Sequence, residues 1–177
     1  MHAAGLAETA ARDVEMLGHE LGMVEDELQD VTYAARVHDL GKLILPEKIL
    51  CKPGPLTEDE FYLVKMHPAV GAEIVSCIPA SDRLQEIIKH HHERFDGAGY
   101  PDGLRGEQIP LGSRMLAVVD GYLTMMTDRP FAPRLSQAEA MAELERCSGT
   151  QFDGMLVRLY LAQVRGKHKS VARSQSS

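Results

Sequence analysis

Two doublets of metal-binding residue types, His38-Asp39 and His91-His92, punctuate this 177-residue chain, with a single His67 between them and Asp120 beyond. Imidazole and carboxylate together suit divalent ions such as zinc, manganese or iron. Neighbours on a helix point about 100° apart, so neither doublet fits one ordinary core face. At a helix end, however, both side chains can turn into a shared cavity. Glycines follow each doublet at short range: Gly41 after the first, Gly97 and Gly99 after the second. Asp120 interrupts the apolar run Met115-Leu116-Ala117-Val118-Val119, where an unpaired carboxylate is costly to bury and a cation is the economical partner. The alternative is a carboxylate on the exposed stripe of an amphipathic helix. Taken singly, a His-Asp pair can be coincidence, and His67, before Pro68, can be a capped surface histidine.

The elements that must position these groups read as helices. Leu6, Ala10, Val14, Leu17 and Leu21 are spaced three or four apart and predict a helix over 3–22, ended by Gly22. A second helix fits 26–39, with Leu28, Val31, Ala34, Ala35 and His38 on one side. Gly41, Pro46, Pro53, Gly54 and Pro55 then predict a loop with a short apolar turn at 43–45. Thr57-Glu58-Asp59-Glu60 is a capping box that starts a helix running towards His67. Pro68 suits a new first turn, continued over 69–76, and 82–92 forms the next helix after Pro79. Residues 94–112, rich in glycine and proline, read as one long loop, of a length that is usually functional or disordered. An apolar helix over 113–127, a second capping box at Ser136–Glu139 and a last helix over 152–164 complete the pattern. Nothing reads as a strand or an internal repeat, so the class is all-α in one domain.

Composition sets the bounds. Apolar residues make up 44% and charged residues 25%, the balance of a soluble globular protein. No apolar run is long enough for a membrane span, and the first thirty residues lack a signal-peptide pattern. Cys51, Cys77 and Cys147 are odd in number and form no CxxC, which points to a reducing compartment and a cytoplasmic location. A net charge of −7 argues against DNA or RNA as partner. It leaves room for a small phosphate ligand, because two divalent cations would reverse the sign locally.

The ordered combination resembles a known family. His38-Asp39-Leu40-Gly41-Lys42 is similar to an HD-x-GK element, and His91 through Pro101 (HHERFDGAGYP) is similar to the HHE-xx-DG-x-GYP signature. Further segments match in order and spacing, among them Asp128-Arg129-Pro130 and Gly149-Thr150-Gln151-Phe152-Asp153, so the resemblance covers about residues 6–164. The chain is identified as a member of the HD-GYP family. That implies an HD-domain helical bundle with a long GYP loop over 1–164, followed by a basic, disordered tail over 165–177. It also implies a metal-dependent phosphodiesterase of bacterial signalling that hydrolyses cyclic di-GMP to linear pGpG and onward to GMP; cyclic GMP-AMP stays open as substrate. The resemblance gives two divalent ions, iron, manganese or similar, with Asp39 bridging them. His67, His91 and His92 complete one site; His38 and Asp120 serve the other. A metal-activated hydroxide would attack phosphorus in line. Lys42 would stabilise the growing charge, and Tyr100 and Arg129 would contact the substrate. Glu93 and Asp96 are expected to orient the histidines and the loop, and His90 to sit on a helix surface. Regulatory signalling proteins and a second copy of the chain are the expected protein partners, and no membrane is expected.

Departures from the family pattern motivate a rival. The first-helix histidine ligand falls 32 residues before His38, at Leu6. Leucine cannot ligate, and His2, one turn earlier, is the candidate substitute. Leu123 and Ala132 replace residues the family favours. The rival is a degenerate domain, weak or inactive in catalysis, that acts by binding nucleotide or protein.

Overall fold

The apolar spacing resolves into helices throughout the computed structural model, which describes residues 3–77, 82–128 and 133–174. They are α1 (Ala3–Glu20), α2 (Glu25–Val37), α3 (Glu47–Leu50), α4 (Glu58–Lys65), α5 (His67–Ser76), α6 (Asp82–Lys89), α7 (Leu111–Met125), α8 (Gln137–Arg146) and α9 (Gly154–Ser174). Short 3₁₀ turns occupy Leu40–Ile44 and Gly106–Gln108. Among the described residues there is no strand, only an isolated bridge between Ser148 and Phe152. The all-α expectation holds.

The core is built around α7. Met115, Leu116, Val118, Val119, Tyr122 and Leu123 are all buried, and the helix packs against α1, α2, α6, α8 and α9. A helix apolar on nearly every side belongs inside, and each such side chain contributes about 1.5–3 kcal/mol on burial. The same helix carries Asp120, half-buried, to the wall of an open cavity. Around it, Ala10, Ala11, Val14 and Leu17 of α1 face Leu28, Val31, Ala34 and Ala35 of α2 in one continuous core. The Tyr160 hydroxyl donates to Asp13 over 2.6 Å, tying α9 to α1.

Local signals set several boundaries. The Thr57 hydroxyl accepts from the Glu60 amide at 3.2 Å while Glu60 accepts from the Thr57 amide at 2.8 Å. Ser136 and Glu139 do the same for α8. Pro68 sits in the first turn of α5, where its missing N–H costs nothing.

Other boundaries differ from the sequence reading. α2 stops at Val37, so His38 caps it and Asp39 lies beyond; α6 stops at Lys89, ahead of all three consecutive histidines. The single-turn helix α3, launched from Pro46, was hidden within the expected loop. The last helix runs past the expected 152–164, with α9 spanning Gly154–Ser174. No proline follows Val164 to stop it, and Arg165 pairs with Glu145 of α8 at 2.6 Å.

Candidate metal centre

Three helix ends deliver the histidines. His38 terminates α2, His67 opens α5, and His91 and His92 follow α6. Asp39 sits between, on the turn that continues through Gly41 and Lys42. That turn presses against α5 so closely that a Cβ on Gly41 would overlap the His67 carbonyl oxygen and stand 2.7 Å from the Gly71 amide nitrogen. Glycine is needed there for the approach alone.

Each of three rings is oriented by its own main chain. The Nδ1 of His38, His67 and His91 lies 3.0, 2.6 and 2.6 Å from the carbonyls of Ala35, Val64 and Ile88 respectively. A carbonyl can only accept, so Nδ1 carries a hydrogen in each ring, and in the neutral form Nε2 keeps its lone pair. His67 Nε2 stands 3.6 Å from Asp39 Oδ1, and His38 Nε2 lies 3.6 Å from Asp39 Oδ1 and 3.7 Å from Asp120 Oδ1. The ligand atoms of Asp39, His67, His91 and His92 all fall within 4.8 Å of one another. His67 Nε2 and His91 Nε2 are buried without a hydrogen-bond partner. Orphaned acceptors of this kind are rare and expensive, and a divalent cation satisfies both at once. The residues present fit a metal.

Asp39, His67, His91 and His92 thus come together as one group, and His38, Asp39 and Asp120 meet along its flank. Thr124 donates to Asp120 Oδ1 at 3.2 Å, and Lys42 Nζ donates to Asp39 Oδ2 at 2.7 Å. Leu6 is half-buried and packs against the apolar core. Arg129, Ala132 and His2 lie outside the described residues.

Electrostatics favours the ligand form. Burial raises the Asp39 carboxyl, but His38 and Lys42 outweigh it and hold the group below the usual range. Burial lowers His67, and burial followed by the neighbouring histidines lowers His91 and His92 well below the ordinary imidazole value. The rings are neutral at pH 7, as metal binding requires. A stability consequence follows for metal-free protein. In the unfolded chain these imidazoles protonate near their ordinary value of about 6.5, above their folded values. Between the two the unfolded state binds more protons, so stability is full above that ordinary value and is lost as pH falls through the window. Thermal melts of chelator-treated protein should therefore show a lower midpoint at pH 5.5 than at 7.5; an equal or higher midpoint would contradict the burial of these rings.

The loop after His92 is ordered by specific bonds. The buried Glu93 carboxylate accepts from the Asp102 and Gly103 amides at 2.7 and 3.0 Å. Phe95 and Asp96 donate backbone bonds to Gln151 and Thr150, stitching the loop to the α8–α9 connection. Arg94 grips Asp96 at 2.6 Å. Glu93 and Asp96 therefore organise the loop and stand outside the ligand cluster. His90, expected on a helix surface, is instead buried, with Nε2 3.0 Å from Asp102 and Nδ1 3.0 Å from the Glu86 carbonyl. Because α6 has already ended, the ring turns under the loop. Tyr100 donates its amide to the His92 carbonyl and places its ring 5.1 Å from that of His92. Burial, then the charges of Asp39 and Asp120, push its phenol up to about 12, so it remains a neutral hydroxyl. A cavity of about 320 Å³ opens beside His91, His92 and Asp120, with Arg94 and Gln151 on its wall.

Sequence reasoning missed two neighbours, Phe61 and Lys65. Their four-residue spacing on α4 puts them on one face, and that face meets Tyr100.

Helix ends that converge imidazoles and carboxylates inside an all-α bundle define the class: a helical domain with a candidate metal centre. The HD domain family model matches residues 1–156, and the chain belongs to that family. It is 37% identical over 167 residues to the cyclic di-GMP phosphodiesterase response regulator RpfG of Xanthomonas campestris, covering 89% of this chain and 44% of that protein. It is 33% identical to 3'3'-cGAMP-specific phosphodiesterase 2 of Vibrio cholerae, covering 83% of this chain and 28% of the relative. The chain therefore spans less than half the length of these relatives. In fold it is similar to a crystal structure of a cyclic GMP-AMP specific phosphodiesterase of V. cholerae, with a TM-score of 0.73 at 19% identity over 90% of this chain and 44% of that one. No described helix is long and apolar enough to cross a membrane.

Proposed function

We propose that this domain is a metal-dependent phosphodiesterase that opens cyclic di-GMP to linear pGpG, and onward to GMP. The observation that carries the reading is the pair of buried, unpartnered imidazole nitrogens of His67 and His91 converging on Asp39. Relatives named for cyclic di-GMP and for 3'3'-cGAMP support a cyclic dinucleotide as substrate. Relatives named for cyclic di-GMP are 37–39% identical to this chain and those named for 3'3'-cGAMP 30–36%, a narrow margin that favours cyclic di-GMP.

Two bound divalent ions, iron, manganese or similar, would supply Lewis acidity towards water and the scissile phosphate. Asp39, His67, His91 and His92 would hold one; His38, Asp39 and Asp120 would hold the other. The chain's own groups do the rest. Asp39 is kept ionised by His38 and Lys42, so it is ready to ligate at neutral pH. Lys42, 2.7 Å from Asp39, stands where it can neutralise charge growing on a phosphate oxygen. Tyr100 presents a neutral hydroxyl and an aromatic face beside His92. Arg129 is assigned to the substrate phosphates.

The test is elemental analysis of purified protein together with a cyclic di-GMP turnover assay in added manganese or iron. Two metals per chain and a linear dinucleotide product are expected; metal-free protein that stays inactive on reconstitution overturns the reading. Leu6 favours a second reading, a binding module with an incomplete second ion site. If Leu6 is the defect, Leu6→His should raise metal per chain towards two and increase turnover several-fold. No gain in either quantity would place the limit elsewhere.

A further inference from the structure

Core packing leaves the face of α4 that carries Phe61 and Lys65 unexplained. None of the residues of this helix is buried, and Phe61 is 43% exposed. Yet a large aromatic and a cation one turn apart both reach the GYP loop. The Phe61 ring meets Tyr100 edge-on, with centroids 6.3 Å apart and planes at 83°. Lys65 Nζ lies 4.7 Å from the Phe61 centroid and 6.0 Å from that of Tyr100. Tyr100 in turn stands 5.1 Å from His92. A row of rings thus runs outward from the metal ligands, with an ammonium above its outer end. The neighbouring acid Glu60 is taken by Lys52, and Lys65 makes no ion pair among the described residues.

A cyclic dinucleotide brings two bases and two phosphodiesters. The His/Asp cluster and Lys42 account for one phosphate. In a chain of net charge −7 the other needs its own local cation. We propose that Phe61 and Lys65 complete, with Tyr100, a subsite for the second nucleotide of the substrate. One purine packs against the aromatic pair, and the phosphodiester that is not being cleaved lies against the Lys65 ammonium. Base–aromatic stacking is tolerant of base identity, so this subsite supplies affinity more than discrimination between guanine and adenine. The inference rests on the cyclic-dinucleotide reading above.

The experiment compares metal-loaded wild type with Lys65→Met, Lys65→Arg, Phe61→Leu and Phe61→Trp on two substrates. One is cyclic di-GMP; the other is bis(p-nitrophenyl) phosphate, a diester with no second nucleotide. Lys65→Met and Phe61→Leu should each raise KM for cyclic di-GMP about ten-fold. The ratio of efficiencies between the two substrates should fall by a similar factor, and Lys65→Arg and Phe61→Trp should recover most of it. A KM for cyclic di-GMP that does not move, or an equal loss on both substrates, sinks the subsite while leaving the functional reading intact. Wild type that cleaves the small diester but no cyclic dinucleotide overturns the functional reading, and the subsite with it. Melting temperature and metal per chain, measured for every variant, separate a local binding loss from misfolding.

Discussion

Asp39→Ala protein is expected to lose turnover of cyclic di-GMP by about a thousand-fold, because one carboxylate serves both proposed ions and its charge has no replacement. Asp39 Oδ1 is 3.6 Å from both His38 Nε2 and His67 Nε2, so its removal unlinks the two halves of the centre. It also strips Lys42 of its 2.7 Å partner. Metal per chain should fall with activity, and Asp39→Asn, which keeps the shape and discards the charge, should share most of the loss. The helical circular dichroism spectrum should persist, since Asp39 lies on a turn outside the core. Retained turnover with full metal content would remove Asp39 from the proposed machinery.

Gly41→Ala should produce the largest loss of stability among conservative changes near the site. A single methyl group would overlap the His67 carbonyl and crowd the Gly71 amide, both main-chain atoms that cannot rotate aside. Relief requires the turn Leu40–Ile44 to back away from α5, and overpacking of this kind costs about 1–3 kcal/mol or more. The displacement carries Asp39 away from His67, so metal affinity should fall together with the melting temperature. Chelator titration and thermal melts of the variant check both. An unchanged melt would mean that the turn is less tightly seated than described.

The ease with which these groups could be read from sequence tracks how local their causes are. The Thr57 and Ser136 capping boxes involve residues three apart, and both were legible. Asp120 was legible because it interrupts an apolar run. The cluster Asp39, His67, His91 and His92 was legible as an ordered set of ligand types, although the pairwise distances depend on how three helix ends meet. What escaped notice is tertiary. His90 is spaced like a surface residue, but α6 ends one residue before it and the returning loop brings Asp102 over the ring. The Gly41 requirement comes from a chain segment some thirty residues away. Phe61 and Lys65 read as ordinary exposed positions of a short helix until Tyr100 arrives from the far side of the sequence. The end of the last helix shows a different limit: no capping residue or proline marks it, so the apolar spacing that stops at Val164 does not set where α9 stops.

The main-chain bonds to His38, His67 and His91 have a consequence for how this centre tolerates change. A ligand aimed by a neighbouring carboxylate is lost when that neighbour mutates. Here the aiming partner is the carbonyl three residues back, which every amino acid possesses. Side-chain replacements at Ala35, Val64 or Ile88 leave the tautomer set, and only a change that bends the backbone itself can reset it. The centre is thereby insulated from sequence drift in its surroundings. A domain can exchange the groups that choose its substrate while its ligand nitrogens stay pointed at the same place.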